Sequence, residues 1–252
     1  MLRNIEIMSD EMEIKQQQVA KQYGLTPEDG VESYADFHIS RLVYHHIFNR
    51  LVAEYKDKPN VKFMEVGCFE GVSTVYFLKN MLTDPSSSIV CIDPLGQEPN
   101  SENKRKGWGH NPDEDPLRRK TPKTIYEVFK GNVLDKYEDK VTFHRENSDT
   151  ALRKYSSPEF DVVYLDGLHY STAILSDLIM TWPLLKKGGY MLLDDFGMDM
   201  YETKFNLDSC FFGISSFMNV FQGQYEVING PNYLIALKKV VDNPFLPPSC
   251  YK

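Results

Sequence analysis

Four short stretches of this chain end in acids that could serve one ligand. "FMEVGCFEGVS" (63–73) puts Glu65 near the end of an apolar run, with Gly67 and Gly71 close behind. "VCIDP" (90–94) delivers Asp93, "FDVVYLDGLH" (160–169) delivers Asp166 and His169, and "YMLLDD" (190–195) delivers Asp194 and Asp195. The two glycines permit a tight turn and close approach of a ligand to the backbone. Their spelling, Glu-x-Gly-x-x-x-Gly, departs from the GxGxxG dinucleotide fingerprint. A pyrophosphate seeks bare amides at a helix N-terminus, and Glu65 would repel it. An acid there suits a cationic amino-acid portion. Asp93 follows 28 residues later, where an acid accepts hydrogen bonds from ribose hydroxyls. A ligand with both an amino acid and a ribose suggests S-adenosylmethionine.

Asp166 and the pair Asp194–Asp195 suggest a second kind of chemistry. Three carboxylates that converge offer oxygen donors to a hard divalent cation, Mg²⁺ or else Ca²⁺ or Mn²⁺. No cysteine or second histidine accompanies them, which disfavours zinc. A cation beside a hydroxyl lowers its pKa, and a nearby base can take its proton. His169 is the candidate base, with an ordinary pKa of ~6.5; Asp166 is the other. The structural alternative is that Asp194, Asp195 and His169 cap turns and helices.

These residues need a scaffold that brings strand ends together. Apolar runs at 61–66, 88–93, 140–145, 160–166 and 189–195 read as buried strands, alternating with helical patterns at 72–82, 123–137, 171–185 and 213–221. Residues 224–240 read as a closing hairpin. The pattern implies an α/β Rossmann-like doubly wound sheet of about seven strands, mostly parallel with an antiparallel C-terminal hairpin strand. Ligands on such sheets sit beyond the carboxyl ends of the strands, where the acids fall. Residues 33–56 form a further amphipathic helix, with Leu42, Val43, Ile47 and Leu51 on one face. The expected organisation is a helical cover over 1–58, its first 30 residues loosely held, a catalytic domain over 59–241 and a tail over 242–252.

"EVGCFEGVS", "CIDP", "FDVVYLDGLH" and "LLKKGGYMLLDD", in this order and spacing, resemble the motif series of class I S-adenosylmethionine-dependent methyltransferases. The nearest likeness is to small-molecule O-methyltransferases, of the catechol type and of the type that modifies macrolide sugars. The resemblance implies that Glu65, Gly67, Gly71 and Ser73 surround the methionine half of the cofactor, that Asp93 holds the ribose, and that Ser148 in "ENSDTAL" contacts the adenine. It also implies metal binding by Asp166, Asp194 and Asp195. Catechol-type enzymes carry a lysine where His169 stands, so the base departs from that pattern. The implied reaction is methyl transfer to a hydroxyl of a sugar or other small polar molecule.

Composition narrows the alternatives. The chain has 252 residues and a formal charge of −8, which argues against sequence-independent nucleic-acid binding. No run reaches the ~18 apolar residues of a membrane span, and the N-terminus lacks the apolar core of a signal peptide. The four cysteines form no CxxC pair and read as free thiols in the cytoplasm. The expected partner is a small hydroxylated substrate, with no nucleic acid and no membrane. The 33–56 helix leaves room for a homo-oligomer. Residues 96–122, with Trp108 and two basic clusters, read as a lid that closes over substrate. "DNPF" (242–245) resembles an amino-methyltransferase motif but stands far from the fourth strand, where that motif belongs. Two other functions compete: an NAD-dependent oxidoreductase on a similar sheet, and a non-catalytic protein that binds the cofactor or acts as a scaffold.

Overall fold

The computed structural model describes residues 18, 20–32, 46–96, 121–197, 209–229 and 233–242. Its centre is a seven-stranded sheet. Strands β1 (Lys62–Val66), β2 (Ser88–Ile92), β3 (Val141–His144), β4 (Phe160–Leu165) and β5 (Leu185–Leu193) run parallel; β6 (Tyr225–Val227) and β7 (Ile235–Lys239) run antiparallel to their neighbours. The order is β3-β2-β1-β4-β5-β7-β6. The chain winds outward from β1 in one direction, then returns to start again at β4. The order therefore reverses between β1 and β4, and a crevice opens there at the carboxyl ends.

Parallel strands buried on both faces read as unbroken apolar runs, and two cores account for that here. Phe63, Val162, Tyr164, Tyr190 and Leu192 face one side. They pack under α1 (His46–Tyr55), α2 (Val72–Asn80) and α3 (Ile125–Phe129) through Phe48, Leu51, Tyr76, Phe77 and Phe129. Their alternating neighbours Met64, Val66, Val163, Leu165, Met191 and Leu193 face the other side. They meet Leu178 on α5 (Ser171–Thr181), Trp182, and Phe217 on α6 (Cys210–Val220). A short helix α4 (Ser148–Ala151) follows β3. Each fully buried side chain of this size contributes roughly 1.5–3 kcal/mol, so both layers hold the strand ends in fixed register.

The element boundaries differ from expectation where glycine and proline intervene. β5 begins at Leu185 rather than 189, with a register irregularity opposite Phe160 and Val162. Its Gly188 has φ +83°, and a Cβ on Gly189 would lie 2.8 Å from the Asp161 carbonyl oxygen. The helix expected over 171–185 stops at Thr181 and tightens into a 3₁₀ turn, Trp182–Leu184, with Pro183 near its start. The helix expected over 123–137 becomes α3 and a π-helical turn, Lys130–Leu134. α6 starts at Cys210, three residues before its expected position.

Residues 20–31 are not loosely held. Ala20, Leu25 and Val31 are buried in the same core as α1 and α2. Asn132 fixes residue 32 with two hydrogen bonds, receiving the Glu32 amide at 2.7 Å and donating to the Glu32 carbonyl at 2.7 Å. Cys68, Cys91 and Cys210 are buried and form no disulfide among the described residues. Among the described residues no helix is long and apolar enough to cross a membrane. The expected lid between 97 and 120, the helix over 33–45, the first 17 residues, Tyr201, Phe205, Cys250 and most of the tail lie outside the described residues.

Candidate active site

Glu65 is fully buried, and both its oxygens are engaged. Ser73 Oγ donates to one in a short contact, and Thr74 Oγ1 donates to the other at 2.5 Å. Ser73 and Thr74 lie in the first turn of α2, which begins at Gly71 without a side-chain cap. Glu65 thus fastens that turn to β1. Burial pushes its carboxyl up to about 8, against the pull of the two hydroxyls, with Asp166 and Asp93 adding repulsion.

The glycines of this loop answer to packing. Gly67 has φ +85°, and a Cβ there would lie 1.9 Å from the Asp166 carbonyl oxygen. The turns after β1 and β4 therefore touch backbone to backbone. Gly71 has φ +84°, and its Cβ would strike Val133 at 2.5 Å. Between them, the amides of Cys68 and Phe69 donate to Asp93 Oδ2 at 2.8 and 2.9 Å, and the Leu95 amide donates to Oδ1 at 2.9 Å. A carboxylate has about four acceptor positions, and these three amides fill three of them on Asp93. Asn132 completes the support by donating to the Glu70 carbonyl at 2.8 Å. Ser148 opens α4, and its side chain bonds the buried Asp177 of α5, whose carboxyl burial raises to about 6.

The second cluster lies directly across the Gly67 contact. His169 Nε2 is 2.9 Å from Asp195 Oδ2 and 3.6 Å from Asp166 Oδ1. One ligand atom from each of the three lies within 4.8 Å of the others. Asp166 and His169 keep about a quarter of their side chains exposed, whereas Asp195 is buried. Burial opposes a charge on His169, but the Asp166 and Asp195 carboxylates outweigh it and push the imidazole up to about 10. The two carboxylates thus favour the protonated form of the imidazole.

Asp194 departs from the expected trio. Its Oδ2 accepts from the Tyr164 hydroxyl at 2.7 Å, and its Oδ1 from the Asp195 amide at 2.9 Å. Burial, then repulsion from Asp166 and Asp195, raises its carboxyl well above the usual range. Asp194 and Asp195 both lie in the turn that follows the end of β5 at Leu193. Asp195 sits at φ +56°, a left-handed conformation that costs about 1–3 kcal/mol outside glycine and gathers at functional sites. Sequence reasoning missed Tyr164, Thr74, Asn132 and Asp177. Of these only Tyr164 carried a signal: two residues before Asp166 on one strand, it must share that face. Phe211 and Phe212 stand half-buried at the start of α6, with Phe211 5.2 Å from the Phe196 ring.

A methyltransferase-domain family model matches residues 64–196. Among curated proteins, uncharacterized protein R132 of Acanthamoeba polyphaga mimivirus is 24% identical over 160 residues, which cover 61% of this chain and 59% of the relative. Three solved structures share the fold. A Corynebacterium glutamicum protein has TM-score 0.54 at 14% identity, covering 92% of this chain and 91% of its own. MycE methyltransferase of the mycinamycin pathway, in complex with Mg and S-adenosylhomocysteine, has TM-score 0.51 at 14% identity, covering 93% and 57%. An O-methyltransferase from Bacillus cereus, in complex with S-adenosylhomocysteine, has TM-score 0.50 at 12% identity, covering 91% of each chain. The family match takes in the glycine turn, every strand-end acid and the β1–β4 crevice, over more than half of the chain, and this chain therefore belongs to the class I methyltransferase-domain family.

Proposed function

We propose that this protein transfers the methyl group of S-adenosylmethionine to a hydroxyl of a sugar or another small polar molecule, assisted by a hard divalent cation. The observation that carries this reading is one juxtaposition. The glycine turn with Glu65 and Asp93 touches, through Gly67, the backbone of Asp166, which belongs to a three-residue donor cluster. Fold neighbours described with S-adenosylhomocysteine, one also with Mg, support it.

The residues fit both ligands. Glu65 braces from beneath the turn that would meet the amino-acid end of the donor, beside Gly67, Gly71 and Ser73. Asp93 has one acceptor position that a ribose hydroxyl would fill, and Ser148, whose side chain bonds Asp177, is the residue assigned to the adenine. S-adenosylmethionine supplies a methyl group on a sulfonium, whose departure leaves a neutral thioether. Asp166 and Asp195 carry the oxygen donors for a cation, with His169 beside them and Asp194 behind. A hard divalent cation supplies positive charge that acidifies a nearby hydroxyl. Asp166 and Asp195 present carboxylates that favour such a charge, and His169 lies against both. Once another cation balances these carboxylates, His169 no longer has reason to keep its proton and can accept one from the substrate hydroxyl. The rim fixes donor and acceptor against each other, and that positioning supplies much of the rate.

The test is thermal shift with S-adenosylhomocysteine, with NAD and with Mg²⁺ before and after EDTA, followed by labelled-methyl transfer to a panel of hydroxylated sugars and phenols. A ligand at 100 times its Kd adds ~2.7 kcal/mol. Stabilisation by S-adenosylhomocysteine, with Mg²⁺-dependent transfer to a hydroxyl, is expected. Stabilisation by NAD alone would overturn the reading. Cofactor binding without transfer to any acceptor would favour a non-catalytic role.

A further inference from the structure

We propose that Tyr164 is a positioning residue for the cation site: it aims Asp166 into the donor cluster and holds Asp194 out of it. This inference rests on the cation reading above. Tyr164 stands in the middle of β4, in register with Glu65 on one side and Leu192 on the other. It is 3% exposed. The rings of Phe48 and Phe77 meet it edge-on, each with centroids 5.8 Å away. The phenol oxygen is therefore a fixed point.

That oxygen lies 2.7 Å from Asp194 Oδ2 and 3.2 Å from Asp166 Oδ2. A phenol has one proton to donate, and the shorter contact takes most of it. Each Asp194 oxygen then has a partner that fixes its direction, one Tyr164 and the other the Asp195 amide. Neither oxygen belongs to the donor cluster, which comprises Asp166, His169 and Asp195. Asp166 is divided differently. Its Oδ2 faces the phenol while its Oδ1 faces His169 at 3.6 Å. One hydroxyl thus turns two acids into one donor and one support. Groups that orient ligands in this way typically govern metal affinity by 10–100-fold.

Tyr164→Phe removes the oxygen and keeps the ring. Free Mn²⁺, counted by electron paramagnetic resonance during titration, gives the dissociation constant without turnover. The variant is expected to bind Mn²⁺ about tenfold or more weakly while its S-adenosylhomocysteine affinity stays within about twofold. Phe48→Leu loosens the same ring cluster and leaves the hydroxyl in place, so it should lower Tm without changing the Mn²⁺ constant. Asp194→Asn retains an acceptor for the phenol and should bind Mn²⁺ within about threefold of the wild type. A wild-type protein that binds no Mn²⁺ overturns the cation reading and this inference together. Wild-type binding matched by Tyr164→Phe, or a tenfold loss in Asp194→Asn, overturns this inference alone.

Discussion

Replacing Glu65 by glutamine removes one titratable proton from the centre of the sheet and little else. The amide oxygen can still accept from Ser73 or Thr74, and the amide nitrogen can donate to the other hydroxyl. The consequence lies in the pH dependence of stability. Glu65 is fully buried, and its carboxyl stands at about 8, against 4.5 for an ordinary glutamate. Between those values the folded chain keeps a proton that the unfolded chain has released. Stability therefore falls as pH rises through the window and levels off above it. A difference of about 3.5 units at 1.36 kcal/mol per unit sets a ceiling of ~5 kcal/mol, and about 3–5 kcal/mol is the expected loss between pH 4.5 and 8. Asp93, Asp177 and Asp194 also have raised carboxyls, but they titrate in both proteins and cancel in the comparison. Urea denaturation at half-unit steps from pH 5 to 9 measures the difference. Glu65→Gln should lose several kcal/mol less than the wild type across this range. Parallel curves would refute the argument, because Glu65 would then be ionised in the native state despite its burial.

Three further outcomes follow from named contacts. Gly67→Ala should cost more than 3 kcal/mol in denaturation, because its Cβ would overlap the Asp166 carbonyl at 1.9 Å. Gly223→Ala, at the same φ of +85° but with nothing within 4 Å, should cost only about 1–2 kcal/mol; equal losses would show that φ alone sets the penalty. Asn132→Ala removes bonds to the Glu32 amide and carbonyl and to the Glu70 carbonyl. It should destabilise by about 2–4 kcal/mol and weaken S-adenosylhomocysteine binding measured by calorimetry. Asp166→Asn should lower methyl transfer by about 100-fold or more while cofactor binding in the same calorimeter persists.

The sheet was legible because parallel strands buried on both faces leave continuous apolar runs, and "KFMEV", "SIVCI" and "FDVVYL" are such runs. Their ends were legible because an acid after an apolar run has few structural uses. Hydrogen-bond partners drawn from distant segments were not legible. Nothing in the local pattern around Asn132 indicates that it spans 100 residues to Glu32. The side-chain directions of Asp194 and Asp195 depend on one left-handed residue, Asp195, which no spacing rule signals. The surroundings of His169 were not legible for a related reason. An unperturbed pKa describes an imidazole in water, and here two carboxylates converge on it only after the ends of β4 and β5 have met.

The Gly67–Asp166 contact has a consequence for how the two halves of the site work together. The turn after β1 rests on the Asp166 carbonyl, the Asp166 amide donates to the Val66 carbonyl at 2.8 Å, and the Gly67 amide donates to the Ile92 carbonyl at 2.9 Å. Asp93 then ties the same turn to β2 through two amides. A side chain at position 67 could be accommodated only by moving β1 away from β4, which the two buried layers resist. On the proposed reading, the methyl donor lies on one side of this contact and the cation donors on the other. The distance between sulfonium and hydroxyl is then set by backbone hydrogen bonds in the centre of a sheet, not by a flexible side chain. Such a site gains its rate from rigidity, and a lid would be needed only to exclude water and select the acceptor, not to align the reacting atoms.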